Sequence, residues 1–401
     1  MDQNSSDTLE SNIWKIALSD ILFNFGLINA IYILFFRFLG FTFNDIGLYE
    51  AITSLAIITT ELPTGVLADA VGRKWTVSVA NAFMLCFALL LGFSEGGFFV
   101  IVFAGLFSGL EFSFKSGAKT ALLYDTLKEL NREGEFLKIS GRINAFSTVS
   151  RIIGMILGAF LFAVNPRVPY WLWALFIGMS VVIMVTVYEP KKSKKKYSLK
   201  THFVDMKKNV LFIFCSKKLL WISFFFLVAD VFAESYWDVF SQAHLKLTGL
   251  DPSVFGIVFA VFAGVNALGS YFADDIENLL GEKASLYIII LVQVFLFGFM
   301  AFCGNWVVLV FLLVILTTTR EFAWLLREYY SNQYIPSERR AGILSAISFL
   351  YNGLFGGALI IWLFGYSIDV LGGSKTLIIS SLCVLIIGIG LLQLRYSKFT
   401  F

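Results

Sequence analysis

Ionisable side chains lie within stretches of the sequence that are otherwise apolar, and these are the residues that could do chemistry. A carboxylate in such a place can bind a proton or a cation, and a lysine or arginine can pair with a carboxylate or an anion. A charge at the centre of a helix in lipid costs about 2.5–3.5 kcal/mol, so these groups must face one another or water. With the polar and aromatic residues that share their helix faces, the candidate residues for binding a proton or charged solute are Asp20, Asn24, Glu111, Lys115, Arg151, Asp230, Glu234, Trp237, Arg320 and Glu321.

The spacing of these residues places them on shared helix faces. Residues four apart in an α-helix lie on one face. Three sets have this spacing: Glu111, Lys115 and Lys119; Asp230, Glu234 and Asp238; and Asp20 and Asn24. At a rise of about 1.5 Å per residue, four of the charged residues fall roughly 15–21 Å from the starts of their apolar stretches. The pattern predicts a polar cavity of mixed charge with aromatic walls.

These groups have an alternative interpretation as buried ion pairs that only join helices. Glu111 could pair with Lys115, and Arg320 with an acid on a neighbouring helix. Buried ion pairs are weak stabilising devices, because desolvation offsets most of their attraction. A set of this size is therefore better explained by a binding function.

The composition identifies the solvent for which the chain is built. Of 401 residues, 58% are hydrophobic and 15% charged, whereas a soluble domain is typically about 45–50% apolar and about 25% charged. A water-soluble globule, a disordered chain and a fibre are excluded. The net charge of +3 gives no support to nucleic-acid binding. Four scattered cysteines and two histidines offer no metal-ligand spacing, so we expect neither a metal nor a cofactor.

Twelve stretches are long and apolar enough to cross a membrane, because about 20 such residues span roughly 30 Å of hydrocarbon. They cover residues 13–39, 46–68, 75–94, 98–124, 141–164, 169–188, 219–245, 254–275, 284–302, 306–331, 341–366 and 374–395. The sequence predicts an all-α membrane protein with 12 transmembrane helices in two six-helix bundles related by pseudo-two-fold symmetry. The predicted domains are an N-terminal tail (1–12), a bundle (13–188), a lysine-rich linker (189–218), a second bundle (219–395) and a C-terminal tail (396–401).

Lysine and arginine concentrate in the loops on one side of these spans. This bias predicts that both termini and the linker are cytoplasmic, in a protein of the cytoplasmic (inner) membrane. The N-terminal segment lacks the basic start and cleavage site of a signal peptide, so none is expected. The lysines at 191–196 are expected to contact anionic membrane lipid, and binding a regulator is the alternative.

An internal repeat of 210 residues agrees with the six-plus-six pattern. The shift places Asp20 on Asp230 in the first span of each half, and Glu111 on Glu321 in the fourth. Parallel six-helix repeats place a solute path near the membrane midplane, at the interface of the two halves.

The loop between the second and third spans contains a sharper motif, G-x3-D-x2-G-R-K. Gly65 lets a neighbouring helix approach closely, and Gly72 permits a tight turn. Asp69 lies at the membrane edge, where a carboxylate can face a helix N-terminus. Arg73 can pair with Asp125 at the end of the fourth span. The set that could act as a conformational gate is Gly65, Asp69, Gly72, Arg73, Lys74 and Asp125.

This motif resembles the signature loop between helices 2 and 3 of the Major Facilitator Superfamily. The twelve spans and the central loop extend the resemblance to nearly the whole chain. The E-x-P-T-G at 61–65 and the segment 335–341 resemble a bacterial efflux-like branch. The resemblance implies alternating access and a loop cluster that locks the outward-facing state. The fifth span lacks the Gly-Pro pair of the antiporter motif, and the second half keeps only a degenerate copy of the loop.

We therefore expect a transporter, not an enzyme. The expected activity is proton-coupled export of a small amphipathic or charged compound, such as a drug, siderophore or metabolite, by a monomer in lipid. Lys115, Arg151 and Arg320 favour an anionic or zwitterionic solute, so proton-coupled uptake of such a nutrient is the alternative. An alternative of another class is a non-transporting membrane sensor or a lipid-handling enzyme. Against the enzyme stands the absence of any Ser–His, His-rich or paired-acid motif at a membrane surface.

Overall fold

The computed structural model describes residues 3–190, 199–336, 339–351 and 356–398. Side chains at 3–8, 62, 65, 66, 68–70, 199–203, 341 and 396–398 lie outside this description. Over the described ranges the chain is helical and contains no strand. This confirms the predicted all-α class, in which every backbone amide and carbonyl can be satisfied within its own segment in lipid.

The helices follow one another with short connections. The first eight are α1 (Gln3–Phe23), α2 (Tyr32–Phe38), α3 (Phe43–Val71), α4 (Arg73–Phe93), α5 (Phe98–Lys115), α6 (Ala118–Glu129), α7 (Phe136–Val164) and α8 (Val168–Val185). The next nine are α9 (Leu199–Cys215), α10 (Lys217–Val239), α11 (Ser241–Leu247), α12 (Phe255–Tyr271), α13 (Ala273–Met300), α14 (Trp306–Asn332), α15 (Arg340–Phe349), α16 (Gly357–Leu371) and α17 (Gly373–Lys398).

Nine segments among the described residues are long and apolar enough to cross a membrane. They comprise α5 continuing into α6, and α4, α7, α8, α10, α12, α13, α14 and α17. The other three predicted spans fall on α1 with α2, on α3, and on α15 with α16. The membrane-protein class is therefore established, and the count of twelve stays a prediction.

The chain divides into two compact units. Unit 1 is Met1–Leu39, Ile52–Phe203 and Pro252–Ile257, and unit 2 is Gly40–Ala51, Val204–Asp251 and Val258–Phe401. Helix α3 therefore contributes its first part to unit 2 and the rest to unit 1. The domain boundaries expected from the sequence are drawn at other residues and remain predictions.

In unit 1, α4 packs on α5 and α8, and α1 packs on α7 and α8. The predicted first span is not one helix, because the chain leaves helical geometry between Phe23 and Tyr32. The Asn24 side chain donates to the carbonyl oxygen of Asp20 at 2.8 Å and closes the end of α1. The irregular backbone then packs directly on α7, where a Cβ at Gly158 would overlap the carbonyl oxygen of Leu27.

Unit 2 is arranged around α10, the most buried of the candidate spans. This helix packs on α14, α16 and α17, and α13 packs on α14 and α17. Helix α13 kinks at Gly281, whose φ of +71° favours glycine. Helix α10 is unbroken from Lys217 to Val239 and carries three of the predicted site residues.

Candidate functional site

Asp20 lies at the centre of a charged cluster in unit 1. Its side chain is only 2% exposed. One carboxylate oxygen accepts a hydrogen bond from Lys119 Nζ at 2.8 Å, and the other accepts from Ser147 Oγ at 2.7 Å. These three residues, on α1, α6 and α7, form the Asp20 cluster. Because the acid is buried and bonded on both oxygens, the cluster is a closed connection between three helices.

A second ion pair of unit 1 lies on α5. Lys115 Nζ is 3.5 Å from Glu111 Oε1, one turn earlier on the same helix. The ammonium group also lies against the ring of Phe23, at the end of α1. Lys115 Nζ is buried without a hydrogen-bond acceptor among the described residues. The structure thus contains the ion pair that the sequence offers as the alternative interpretation, and a role of these two residues in binding stays a prediction.

The corresponding acid of unit 2, Asp230, lies in an open environment. Its Oδ1 accepts from Arg320 Nε at 2.9 Å, and its Oδ2 accepts from the hydroxyl of Tyr351 at 2.9 Å. The same hydroxyl is 3.4 Å from Glu234 Oε2. One hydroxyl proton cannot bond two carboxylates fully, so Glu234 receives the weaker share.

These groups line a cavity of about 460 Å³ within unit 2, which we call the Asp230 cavity. Its walls come from α10, α14 and α15 with Tyr351, and its charged lining residues are Asp230, Glu234, Arg320, Arg327 and Glu328. The lining also includes the exposed indole of Trp324. Small-molecule sites are concave and combine a few placed polar groups with apolar walls, and this cavity has both.

Two further acids belong to the surroundings of this cavity. Glu50, on the part of α3 that belongs to unit 2, interacts electrostatically with Asp238 and Glu234. The sequence leaves the role of Glu50 ambiguous, because nothing in the spacing of α3 links it to α10.

Tyr351 is absent from the predicted site, because an uncharged side chain in an apolar span gives no signal of its own. Lys119 is also absent from the predicted site, although its four-residue spacing from Lys115 could have indicated it.

The structure does not bring the other predicted binding residues into these two groups. The Asn24 amide bonds to backbone rather than to the carboxylate of Asp20. Trp237 packs its ring on Phe259 and Phe262. Two charged residues lie apart from both groups: Arg151 is exposed on α7, and Glu321 is half-buried on α14 outside the lining of the Asp230 cavity.

The predicted gate loop has a well-defined geometry where its side chains are described. Gly72 has a φ of +129°, which favours glycine, and starts α4. The predicted ion pair between Arg73 and Asp125 is present, and Arg73 also donates to the carbonyl oxygen of Ala121 at 2.8 Å. Lys74 places its ammonium 5.0 Å from the centre of the Trp75 ring. Gly65 and Asp69 lie within α3, and their side chains lie outside the described residues.

Glu189 completes this loop, and sequence reasoning missed it. Its two carboxylate oxygens accept from the backbone amides of Arg73 and Lys74, at 2.8 and 2.9 Å. These amides have no intrahelical acceptor at a helix N-terminus, where negative charge is also favourable. A Cβ at Gly72 would lie 3.0 Å from the Glu189 carboxyl carbon. The contact therefore needs glycine at this position.

Nine long apolar segments in the described part of the chain, together with charged groups held between helices, define a polytopic integral membrane protein. The sequence profile of the Major Facilitator Superfamily matches residues 16–361, and the chain belongs to this superfamily of transporters.

Individual relatives are distant. The chain is 26% identical over 254 residues to the uncharacterized MFS-type transporter YxaM of Bacillus subtilis, a match that covers 61% of this chain and 60% of that protein. It is 25% identical over 174 residues to the quinolone resistance protein NorA of Staphylococcus aureus, covering 43% of this chain and 44% of NorA. The fold is similar to the crystal structure of the nucleoside transporter NupG, with a TM-score of 0.76 at 14% identity, over 96% of this chain and all of that one.

Proposed function

We propose that this chain is a proton-coupled secondary active transporter that exports a small amphipathic or charged compound across the cytoplasmic membrane by alternating access. The observation that carries the proposal is the Asp230 cavity, in which Glu234 and a paired Asp230 face open space within membrane-crossing helices. Charge that is unpaired or only partly paired is costly in such a place and is typical of a functional site.

Glu234 is the residue that we propose takes up the proton. In the described part of the chain it has no ion pair, and its hydrogen bond from Tyr351 is the longer of the two that this hydroxyl makes. Asp230, by contrast, is neutralised by Arg320. Protonation of Glu234 would remove one negative charge from the cavity and release Tyr351 entirely to Asp230. The same step changes the affinity of the cavity for a charged solute, which is what coupling requires.

The solute is proposed to combine an apolar body with a charged group. Arg320 and Arg327 can bind a carboxylate or phosphate, Glu234 and Glu328 can bind a cation, and Trp324 offers an aromatic surface. The direction of transport is proposed from the similarity to a protein named for quinolone resistance. Uptake of an anionic or zwitterionic nutrient is the second candidate, which the two cavity arginines favour.

The gate is part of the same proposal. Asp125, Arg73 and the amides capped by Glu189 form a network at the start of α4 that opening of this end would have to break. We include Gly65, Asp69 and Lys74 in this gate on the sequence motif. The protein is proposed to work as a monomer, with both termini cytoplasmic and the proton gradient as its driving force.

The test first identifies the solute and then measures whether its movement is coupled to proton flux. Untargeted comparison of metabolites inside and outside cells, with and without the protein, identifies compounds that it moves. Such a compound is then added to proteoliposomes that carry an internal pH dye. We expect solute-dependent proton flux with the wild type and loss of this flux with Glu234→Gln.

Glu321→Gln is the matched control, because it removes an acid of α14 outside the lining of the Asp230 cavity and should keep the flux. Solute movement with a flat pH trace in the wild type would exclude proton coupling. Binding of the solute without movement would indicate a sensor.

A further inference from the structure

Helix α9, in the segment that joins the two predicted bundles, is joined directly to a candidate membrane span. Only Ser216 separates its last residue from Lys217, the first residue of the candidate span α10. Ser216 is extended, with φ −94° and ψ 100°, and its hydroxyl accepts from the amide of Leu219. If α10 crosses the membrane, the C-terminal end of α9 is therefore close to the lipid headgroups.

One face of α9 is packed within unit 2. Asn209 and Ile213 are buried there, and Ile213 belongs to a core with Ile343 and Leu350. The Arg339 guanidinium, just before α15, donates to Asn209 Oδ1 at 2.7 Å. This face is therefore occupied by the protein itself and joins α9 to the start of α15.

The opposite face of α9 is exposed and mixes apolar with basic residues. Val204, Leu211 and Phe214 are 44%, 52% and 42% exposed, and Lys207 and Lys208 are exposed between them. Their offsets of three, four, seven and ten residues from Val204 put all five on one side of the helix. We call these five residues the α9 outer face. An apolar stripe bordered by lysine is typical of a helix lying in the plane of a membrane interface.

The charge of the whole segment fits one occupant. Residues 191–218 contain ten lysines and a single acid, Asp205. Asp205 is 3.6 Å from Lys208, and both side chains are more than half exposed, so this pair neutralises little of the charge. A surface that is apolar, strongly basic and tethered at the headgroup layer is complementary to anionic phospholipid.

We propose that the α9 outer face is a binding site for anionic phospholipid. Val204, Leu211 and Phe214 enter the acyl-chain boundary, and Lys207 and Lys208 bind the headgroup phosphates. The Asn209–Arg339 hydrogen bond makes the occupied site a fixed support for α15. The inference does not depend on which solute the protein moves or in which direction.

The first experiment measures lipid selectivity directly. Native mass spectrometry of the full chain, with equal amounts of phosphatidylglycerol and phosphatidylcholine, gives the ratio of bound lipids. Each lysine near an anionic surface contributes a factor of about five in affinity. We therefore expect the phosphatidylglycerol preference to fall by at least that factor in Lys207→Gln/Lys208→Gln.

Two control variants decide whether the effect is specific. Lys207→Arg/Lys208→Arg keeps the charge and should keep the preference. Lys246→Gln removes an exposed lysine of α11 and should also keep it. An unchanged preference in the glutamine variant, or an equal loss in either control, would overturn the proposal.

The second experiment does not rely on the lysine variants. A spin label at Leu211→Cys, in a chain whose four native cysteines are replaced, reports membrane depth in vesicles of phosphatidylcholine with and without phosphatidylglycerol. We expect the label to lie below the headgroups, and deeper when phosphatidylglycerol is present. A label in water in both vesicles would overturn the lipid site and would instead indicate a face for a cytosolic acidic protein.

Discussion

The Asp20 cluster and the Asp230 cavity place acids related by the 210-residue repeat in opposite environments. Both acids accept one hydrogen bond on each oxygen, but Asp20 is 2% exposed, whereas Asp230 is 25% exposed and borders about 460 Å³ of space. Both acids pair with a base on the fourth span of their own half. The same position in the repeat thus forms a buried contact between helices in unit 1 and lines an open cavity in unit 2.

The bases explain how the two environments diverged. The 210-residue shift places Lys119 on Tyr329 and Arg320 on Leu110, so the repeat carries the acid but not its partner. In unit 1 the fourth span is broken at Gly117, with φ +72°, and Lys119 follows this break. In unit 2, α14 runs without a break past Arg320. The base therefore lies at a different position of the repeat in each unit, and the exposure of the paired acid differs as well.

The loops before the two third helices show a similar inversion. In unit 1 the loop supplies the base, since Arg73 pairs with Asp125 while Glu189 caps α4. In unit 2 the loop supplies the acid, since Glu282 pairs with Arg395 near the end of α17. The two halves therefore differ both in the sign of the charge near this turn and in the helix that carries its partner, and variants in one half should not behave like those in the other.

The largest expected difference is in stability. Asp20→Asn removes a carboxylate that is only 2% exposed from its pair with Lys119, whose own side chain is 27% exposed, so the expected loss lies at the lower end of the about 3–5 kcal/mol for a broken buried pair. Asp230→Asn disturbs a pair that borders the Asp230 cavity, where water can replace the lost contact, so a smaller loss is expected, together with loss of transport. Thermal unfolding in detergent micelles measures the first effect. Equal destabilisation by both variants would break the comparison.

The next effect is on solute selectivity. Arg320→Ala removes a charged hydrogen-bond donor, worth about 1.5–3 kcal/mol, from the Asp230 cavity. We expect the affinity for an anionic solute to fall about 10- to 100-fold and that for a cationic solute to be retained. Titration with one solute of each charge measures both. Lys119→Ala, its counterpart in unit 1, should lower stability and leave selectivity unchanged. A loss of cation affinity with Arg320→Ala would instead favour a cationic drug as the solute.

A smaller effect concerns the irregular backbone that follows Asp20. Gly158→Ala would place a methyl group against the carbonyl oxygen of Leu27, and overpacking of this kind costs about 1–3 kcal/mol. Gly178→Ala on α8 is the control, because its Cβ would meet nothing within 4 Å. We expect Gly158→Ala to have a lower melting temperature than Gly178→Ala. An unchanged melting temperature in Gly158→Ala would mean that the backbone near Asp20 can shift to make room for the methyl group, contrary to the closed geometry of the Asp20 cluster.

The sequence predicts the helical class, the charged pairs within one helix and the Arg73–Asp125 pair, because these follow from composition, helical periodicity and a local motif. It does not predict the interruption after Phe23, because the cause is a distant contact between the backbone at Leu27 and glycines of α7. Nor does it predict which repeat-related acid is open. The exposure of each acid depends on where α6 or α14 places the base that pairs with it. The periodicity of residues along one helix does not show how a neighbouring helix is placed.

Sequence reasoning also missed residues whose contribution comes from a backbone contact or a neutral group. Tyr351 is an aromatic residue in an apolar span and becomes notable only when its hydroxyl is found between Asp230 and Glu234. Glu189 lies 116 residues from the amide that it caps. Charge patterns identify ionised groups in unusual places, but not the partners that fold against them.

The smallest expected effect concerns the acid that caps α4 in unit 1, a contact that differs from the Glu282–Arg395 pair of unit 2. Glu189→Gln keeps one acceptor oxygen but removes the charge and the second acceptor at the start of α4, and such charge–dipole contacts contribute about 0.3–1 kcal/mol. We expect a small fall in melting temperature that 1 M salt reduces, since salt screens the contact. Glu95→Gln is the control, because that carboxylate is 91% exposed beside Arg167 and should change nothing measurable. If Glu189→Gln also changed nothing, the cap would contribute no stability of its own, and the geometry at Gly72 would have to be maintained by the Arg73–Asp125 pair alone.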